Sequence, residues 1–353
     1  MEQFTGTKPI AASHAFDVAA LEAHLARTLP GFAGPLTVEQ FKGGQSNPTY
    51  KLITPGQRYV MRTKPGPAAK LLPSAHAIER EYRVMQALAA SAVPVPRVRW
   101  LCEDPAVLGS AFYLMDFVPG RILGDQTLPG LGPDARRAMY AELNRVIAAL
   151  HQVDPATVGL ADYGRGEHYV QRQVDRWTRQ YRASATGTID AMDRLIEWLP
   201  AHLPPQAGVA IVHGDFRLDN VVFHATEPRI AAVLDWELST LGDPLVDFAY
   251  HCLTWRIPLG TQRTLAGVEL APLGIPTEDE HLAAYCRHTG RNLDEARAHW
   301  PYHLAFNMFR LAAIQQGVAR RALDGNAANA RAAAAGARAQ ATAEAGWAIV
   351  RGA

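Results

Sequence analysis

The chain has 353 residues, of which 48% are hydrophobic, so it is long enough for two separate hydrophobic cores. Its formal net charge of +1 and the lack of long blocks of like charge argue against nucleic acid as a partner. Three scattered cysteines, a start without a signal-peptide pattern and interrupted apolar runs predict a cytoplasmic protein with free thiols and no membrane partner.

The predicted elements begin with a helix that Asp17 caps. Strands separated by turns follow at 36–41, 50–53 and 59–62. A glycine-rich turn joins the first two strands, and its backbone N–H groups and serine hydroxyl suit phosphate oxygens. This turn supplies four candidate nucleotide-binding residues, which are Gly43, Gly44, Ser46 and Asn47.

The next segments predict one helix over 74–91 and two further strands, which complete a five-stranded sheet. The chain then turns at 118–120, and its pattern becomes helical. Further helices are predicted at 134–151, 168–183 and 189–203, and several more between 276 and 350. We therefore expect a domain over residues 1–117 and a second, mainly helical domain over residues 118–353.

The most informative stretch is HGDFRLDN, residues 213–220, which follows a short apolar strand. Four residues separate Asp215 from Asn220, which is the spacing of a kinase catalytic loop. In such a loop the aspartate orients and deprotonates a hydroxyl group, and the asparagine binds metal. A second strand, 230–234, ends at Asp235, in the place of the metal-binding aspartate. Asparagine and aspartate oxygens suit Mg²⁺.

These motifs resemble the aminoglycoside-phosphotransferase-like family of small-molecule kinases, in element order over about residues 36–310. The closer resemblance is to the phosphotransferase domains related to those fused to acyl-CoA dehydrogenases. It is carried by HAIERE at 76–81, by HGDFRLDN, and by LDWE at 234–237. The resemblance implies an α+β, bilobal, protein-kinase-like fold. Its small antiparallel N-lobe sheet has one main helix, and its larger helical C-lobe carries a catalytic hairpin.

The resemblance also assigns site residues. It makes Asp215 the base or orienter of a substrate hydroxyl and implies ATP as phosphate donor, with Mg²⁺ held by Asn220 and Asp235. Arg217 either screens the transferring phosphoryl group or forms a salt bridge inside the loop. The hinge between the lobes, where the backbone meets adenine, falls at Met115, Asp116 and Val118.

A kinase usually has a lysine on the third strand to contact the phosphates. Here the matching residue is Arg62, and Lys64 follows two residues later on the same side of an ideal strand. The resemblance pairs this cation with Glu81, with Glu79 as the competing glutamate. We predict that Arg62, paired with Glu81, is the phosphate-binding cation.

Three further residues around the motif have expected roles. His213 is expected to hold the loop through hydrogen bonds, and Asp247 to bind loop backbone groups. Glu237 is a further possible metal ligand.

The motifs are compatible with several classes of activity. A protein kinase is disfavoured because the chain has no room for a peptide-docking segment between Asp235 and Asp243. A metal-dependent hydrolase is disfavoured because Arg62 and the hinge would have no function in it. A catalytically inactive nucleotide-binding scaffold and an aminoglycoside or sugar kinase remain the alternatives to a kinase for another small hydroxylated molecule.

Charge indicates the substrate class. Beyond Tyr250 the arginines outnumber the acidic residues, and Arg172, Arg176 and Arg179 form a positive stripe earlier in the chain. A polycationic aminoglycoside would favour carboxylates instead. We therefore expect a hydroxy acid or a hydroxyacyl-CoA as substrate, and a functional link to acyl-CoA dehydrogenase metabolism.

Overall fold

The computed structural model describes residues 6–42, 47–64, 77–258, 264–323 and 331–351. The strands are β1 (Thr7–Lys8), β2 (Thr37–Phe41), β3 (Thr49–Ile53), β4 (Arg58–Thr63), β5 (Val98–Cys102), β6 (Phe112–Asp116), β7 (Ala210–Val212), β8 (Val221–Phe223), β9 (Ile230–Val233) and β10 (Thr240–Gly242). The helices are α1 (Val18–Thr28), α2 (Ile78–Leu88), α3 (Pro105–Leu108), α4 (Pro133–Gln152), α5 (Tyr169–Ser184), α6 (Asp190–Ala201), α7 (Pro244–Cys252), α8 (Glu278–Thr289), α9 (Leu293–Leu323) and α10 (Arg331–Arg351). Within the described ranges, no helix has the length and apolar composition that a bilayer crossing requires.

The chain divides into two compact units. Unit 1 contains Met1–Ile122 and Asp219–Ser239, and unit 2 contains Leu123–Leu218 and Thr240–Ala353. The sequence predicts a single boundary after residue 117, with the β8–β9 hairpin in the second domain. The hairpin instead groups with unit 1, because Arg121 pairs with Phe223 and the N–H of Val233 donates to the carbonyl of Pro94 at 2.8 Å.

Unit 1 is built on an antiparallel sheet of six strands in the order β1-β2-β3-β4-β6-β5. The expected count of five was wrong, because the two-residue strand β1 adds to the edge, with Thr7 opposite Phe41. Helix α1 starts as predicted, since the Asp17 carboxylate accepts the N–H of Ala20 at 3.0 Å. Its buried leucines pack with apolar side chains of the sheet to form the core of this unit.

Unit 2 is mainly helical, as predicted. The helices expected at 134–151, 168–183 and 189–203 are α4, α5 and α6, and α5, α6, α7, α9 and α10 enclose the core. Strand β7 pairs with β10, which positions the loop that follows β7. Helix α7 begins after Asp243, whose carboxylate caps it with Pro244 in the first turn. All three cysteines are unpaired, as expected.

Candidate active site

A buried ion pair lies at the centre of unit 1. Nη1 of Arg62 on β4 lies 3.0 Å from Oε2 of Glu81 on α2, and the Glu81 side chain is 1% exposed. Glu81 also accepts from the hydroxyl of Tyr113 at 3.0 Å and from the side-chain amide of Asn47 at 3.1 Å. The pairing of Arg62 with Glu81 that we predicted is therefore present. Lys64 forms its ion pair with the competing glutamate, Glu79.

Arg62 contacts more than one carboxylate. Its Nη1 is 3.1 Å from Oδ1 of Asp235, and its Nη2 is 3.9 Å from Oε2 of Glu237. Burial works to lower the pKa of Arg62, but the surrounding carboxylates, Glu81 first, raise it on balance. Burial raises the pKa of Glu81, against the lowering effect of Arg62. Three carboxylates thus lie 3.9 Å or closer to one guanidinium, and we refer to Arg62, Glu81, Asp235 and Glu237 as the cation cluster.

The two predicted metal ligands lie at the same end of the β8–β9 hairpin. Asn220 ends the short turn before β8, Asp235 follows β9, and the N–H of Leu234 donates to the Asn220 carbonyl at 2.8 Å. Asp235 has a φ of 65°, a left-handed conformation that costs on the order of 1 kcal/mol and is often found at functional positions. An amide oxygen and a carboxylate oxygen fit Mg²⁺, which takes its remaining ligands from phosphates and water.

The predicted hinge follows β6. The Asp116 carboxylate accepts two hydrogen bonds from Arg99, at 2.7 and 2.9 Å, and its N–H donates to the carbonyl of Arg97. Met115 is buried. The N–H and carbonyl of Val118 have no hydrogen-bond partner within the described part of the chain. Of the predicted hinge residues, Val118 is thus the one whose backbone groups suit the edge of a base.

The glycine-rich turn is described only in part. Gly43, Gly44 and Ser46 lie outside the described residues. Asn47 is fully buried, and its side chain donates to Glu81. Its position therefore supports the ion pair of Arg62, whereas the sequence analysis had expected it to bind the nucleotide.

In unit 2, the loop 213–217 is held by one buried carboxylate. The Asp247 oxygens accept the N–H groups of His213 and Gly214, both at 2.8 Å, and lie 3.1 Å from Nε2 of His151. Burial tends to raise the pKa of Asp247, but the contacts with His151 and His213 lower it below its usual value. The structural role predicted for Asp247 is confirmed. His213 holds the loop as expected, since its ring accepts the N–H of Asp215 at 3.2 Å.

The predicted catalytic residues lie together in this loop. Nε of Arg217 is 3.0 Å from Oδ1 of Asp215, so the salt bridge that we considered for Arg217 is formed. On α7, burial and the charge of Asp215 raise the pKa of the Tyr250 hydroxyl. On α9, Arg310 donates to the Gly214 carbonyl at 2.7 Å. The sequence analysis missed both Tyr250 and Arg310, because no local motif connects either residue with the loop.

Two features are typical of a kinase-like phosphotransferase. One is an antiparallel sheet whose arginine pairs with a glutamate of the main helix, and the other is an HGD loop whose backbone N–H groups donate to a buried aspartate. Comparisons with known proteins agree with this class. The profile of the phosphotransferase enzyme family matches residues 37–300. The chain therefore belongs to the phosphotransferase enzyme family.

Three similar proteins place the chain within this family. A crystal structure from Ralstonia eutropha, provisionally named an aminoglycoside phosphotransferase, is 53% identical, with a TM-score of 0.86 over 96% of this chain and 99% of that one. Aminoglycoside phosphotransferase APH(4)-Ia, in complex with ADP and hygromycin B, has the same fold at 18% identity, with a TM-score of 0.61 over 94% of this chain and 98% of that one. Mouse acyl-CoA dehydrogenase family member 10 is 46% identical over 97% of this chain, which spans 32% of that protein. The chain spans 42% of rat acyl-CoA dehydrogenase family member 11, so it is less than half the length of either curated relative.

Proposed function

We propose that the protein transfers the γ-phosphate of ATP to the hydroxyl group of a hydroxy acid or hydroxyacyl-CoA. The observation that carries this proposal is the cation cluster of unit 1, in which a buried arginine and glutamate pair lies beside Asp235. Such a pair is the phosphate-binding feature of kinases. The proposal assigns the nucleotide to unit 1 and the acceptor hydroxyl to Asp215 of unit 2.

In this reaction, Asp215 orients the acceptor hydroxyl and takes its proton. The hydroxyl oxygen forms a bond to the γ-phosphorus, the bond from that phosphorus to the bridging oxygen breaks, and ADP leaves. Asp215 then releases the proton to water. Arg62 binds phosphate oxygens, and Glu81 keeps its guanidinium in place.

Asn220 and Asp235 would hold Mg²⁺, whose charge would neutralise the phosphates when it is bound. A metal ion bound to Asp235 would share this carboxylate with Arg62, which contacts its Oδ1 at 3.1 Å. Glu237 is 3.9 Å from the second nitrogen of the same guanidinium and can keep the arginine in place. We propose this holding role for Glu237 in addition to the metal-binding role considered from the sequence.

The charges close to Asp215 support an anionic or neutral acceptor. Arg217 pairs with Asp215, and the guanidinium of Arg310 lies over the ring of Tyr250. A polycation would be repelled by these groups. The positive stripe of Arg172, Arg176 and Arg179 is weaker support for an anionic acceptor, because Arg176 and Arg179 are exposed to solvent. The names of the curated relatives also favour an acyl compound and a link to acyl-CoA dehydrogenase metabolism.

Hydroxyacyl-CoAs and hydroxy acids are accordingly expected to have a higher kcat/KM than kanamycin-like aminoglycosides. The measurement is ADP release with Mg²⁺ and ATP, at one low ionic strength, for hydroxyacyl-CoAs, hydroxy acids, sugars and aminoglycosides. Acyl-CoAs without the hydroxyl group are the matched control, because they can bind but cannot accept phosphate. A higher kcat/KM for the aminoglycosides would contradict the charge argument. Nucleotide binding without transfer to any acceptor would favour the inactive scaffold.

Arg62→Ala is expected to raise the KM for ATP by about ten- to a hundredfold, because it removes a charged hydrogen-bond donor to the phosphates. Lys64→Ala is the matched control, since its ammonium group pairs with Glu79 and should leave this KM nearly unchanged. Arg62→Lys keeps a charge beside Glu81 but loses the planar fork, so an intermediate KM is expected. A rise in KM confined to Lys64→Ala would reverse the assignment.

A further inference from the structure

Gly214, directly before Asp215, is held at both of its backbone polar groups. Its N–H donates to Asp247, and its carbonyl accepts from Arg310. Its φ of 81° is one that residues with a Cβ rarely adopt. This backbone conformation determines the direction in which Asp215 leaves the loop, so the two partners of Gly214 influence the position of that carboxylate.

Arg310 is an unusual partner for a carbonyl group. It is 7% exposed, and within the described residues it forms no ion pair with a carboxylate. Its guanidinium lies 4.6 Å from the centre of the Tyr250 ring and 5.6 Å from that of Trp177. Cation–π contacts stabilise such a desolvated charge. A buried cation is costly to retain for packing alone, so its contact with the loop calls for a functional explanation.

Tyr250, whose ring the Arg310 guanidinium overlies, also interacts electrostatically with Asp215. Burial and the charge of Asp215 raise the pKa of Tyr250 above its usual value. Its hydroxyl therefore keeps its proton and remains a hydrogen-bond donor. Nε of Arg217 lies 3.0 Å from Oδ1 of Asp215, so an ion pair also restrains this carboxylate.

We propose that Tyr250 and Arg310 are positioning residues that fix Asp215 in the orientation needed to receive the hydroxyl proton. Tyr250 acts on the carboxylate, and Arg310 acts on the Gly214 carbonyl and on the ring of Tyr250. The catalytic part of this inference rests on the proposed function. The positional part does not, because it concerns only how the loop is held.

Steady-state kinetics test the catalytic part. Tyr250→Phe is expected to lower kcat by about ten- to a hundredfold, since it removes the hydroxyl group that we propose donates to the Asp215 carboxylate, and to leave the KM for ATP within about twofold. Tyr302→Phe is the matched control, because it removes a buried hydroxyl that bonds to the Leu199 carbonyl in the same unit. If Tyr250→Phe and Tyr302→Phe have the same kcat, or if Tyr250→Phe changes only KM, the catalytic part is overturned.

Amide hydrogen exchange of the full chain tests the positional part independently of any acceptor. Arg310→Met is expected to speed exchange in residues 213–217 by about tenfold or more, because the Gly214 carbonyl loses its donor. Arg310→Lys keeps a donor and a cation, so exchange should return toward that of the wild type. Unchanged exchange in Arg310→Met overturns the role of Arg310. Absence of transfer by the wild type would instead contradict the proposed function and leave this measurement interpretable.

Discussion

Replacing Asp215 by alanine is expected to reduce phosphoryl transfer by about 10²- to 10⁴-fold while ATP still binds. The reason is the placement of its carboxylate, whose Oδ1 lies 3.0 Å from Nε of Arg217 in unit 2. The groups that surround Arg62 belong to unit 1, and Asp215 is absent from that cluster. Its loss should therefore affect proton transfer and orientation of the acceptor more than nucleotide binding.

Two variants make this expectation specific. Asp215→Asn keeps the shape of the side chain but is a poor proton acceptor, so it should lose nearly as much activity as Asp215→Ala. Asp235→Asn should instead weaken Mg²⁺-dependent ATP binding, because it removes a carboxylate from the cation cluster. Calorimetric titration with ATP and Mg²⁺, together with single-turnover rates, separates the two effects. Turnover of Asp215→Ala within tenfold of the wild type, or equal losses of binding in Asp215→Ala and Asp235→Asn, would contradict the assignment.

Features that depend on a short stretch of sequence could be predicted. The helix cap at Asp17, the β8–β9 hairpin and the capped start of α7 each rest on a few adjacent residues. The choice of Arg62 and Glu81 followed from strand and helix positions within a kinase-like order. Both residues face the interior of unit 1, so burial left few alternative partners.

What could not be predicted depends on contacts between distant residues. Arg310 reaches Gly214 across 96 positions, and Asn47 reaches Glu81 across 34. Neither pair leaves a periodic signal, because helix α9 would be equally regular without the contact. The edge strand β1 was missed for a related reason, since two residues are too few to show alternation.

Acidification to pH 5 is expected to destabilise the protein strongly, because unit 2 buries three histidines in neutral form. Burial lowers the pKa of His251 and of His303 to about 4 and that of His281 well below its usual 6.5. His251 and His281 lie 3.1 Å apart through their Nε2 atoms, an arrangement that needs one donor and one acceptor. Protonation of both rings would break it.

Proton uptake on unfolding determines how the free energy of unfolding changes with pH. Below pH 6.5 the unfolded chain protonates these histidines while the folded chain does not, so stability is lost as the pH falls from 6.5 toward 4. At pH 5 each histidine should lower the free energy of unfolding by about 2 kcal/mol. The three histidines together would remove a large part of the free energy of unfolding, which is roughly 5–15 kcal/mol for folded proteins. Asp247, whose pKa is lowered, adds its own loss only below about pH 3.8.

Urea unfolding at pH 7.5 and pH 5.0 measures this loss, and helix α8 offers a matched pair of variants. His281→Gln should be less stable than the wild type at pH 7.5, because the contact with His251 is weakened. Its further loss between the two pH values should be smaller than that of the wild type by about 2 kcal/mol, because one buried proton acceptor is gone. His288→Gln changes an exposed histidine on the same helix and should keep the full loss. An equal loss in His281→Gln and His288→Gln would mean that the buried histidines do not cause the acid sensitivity.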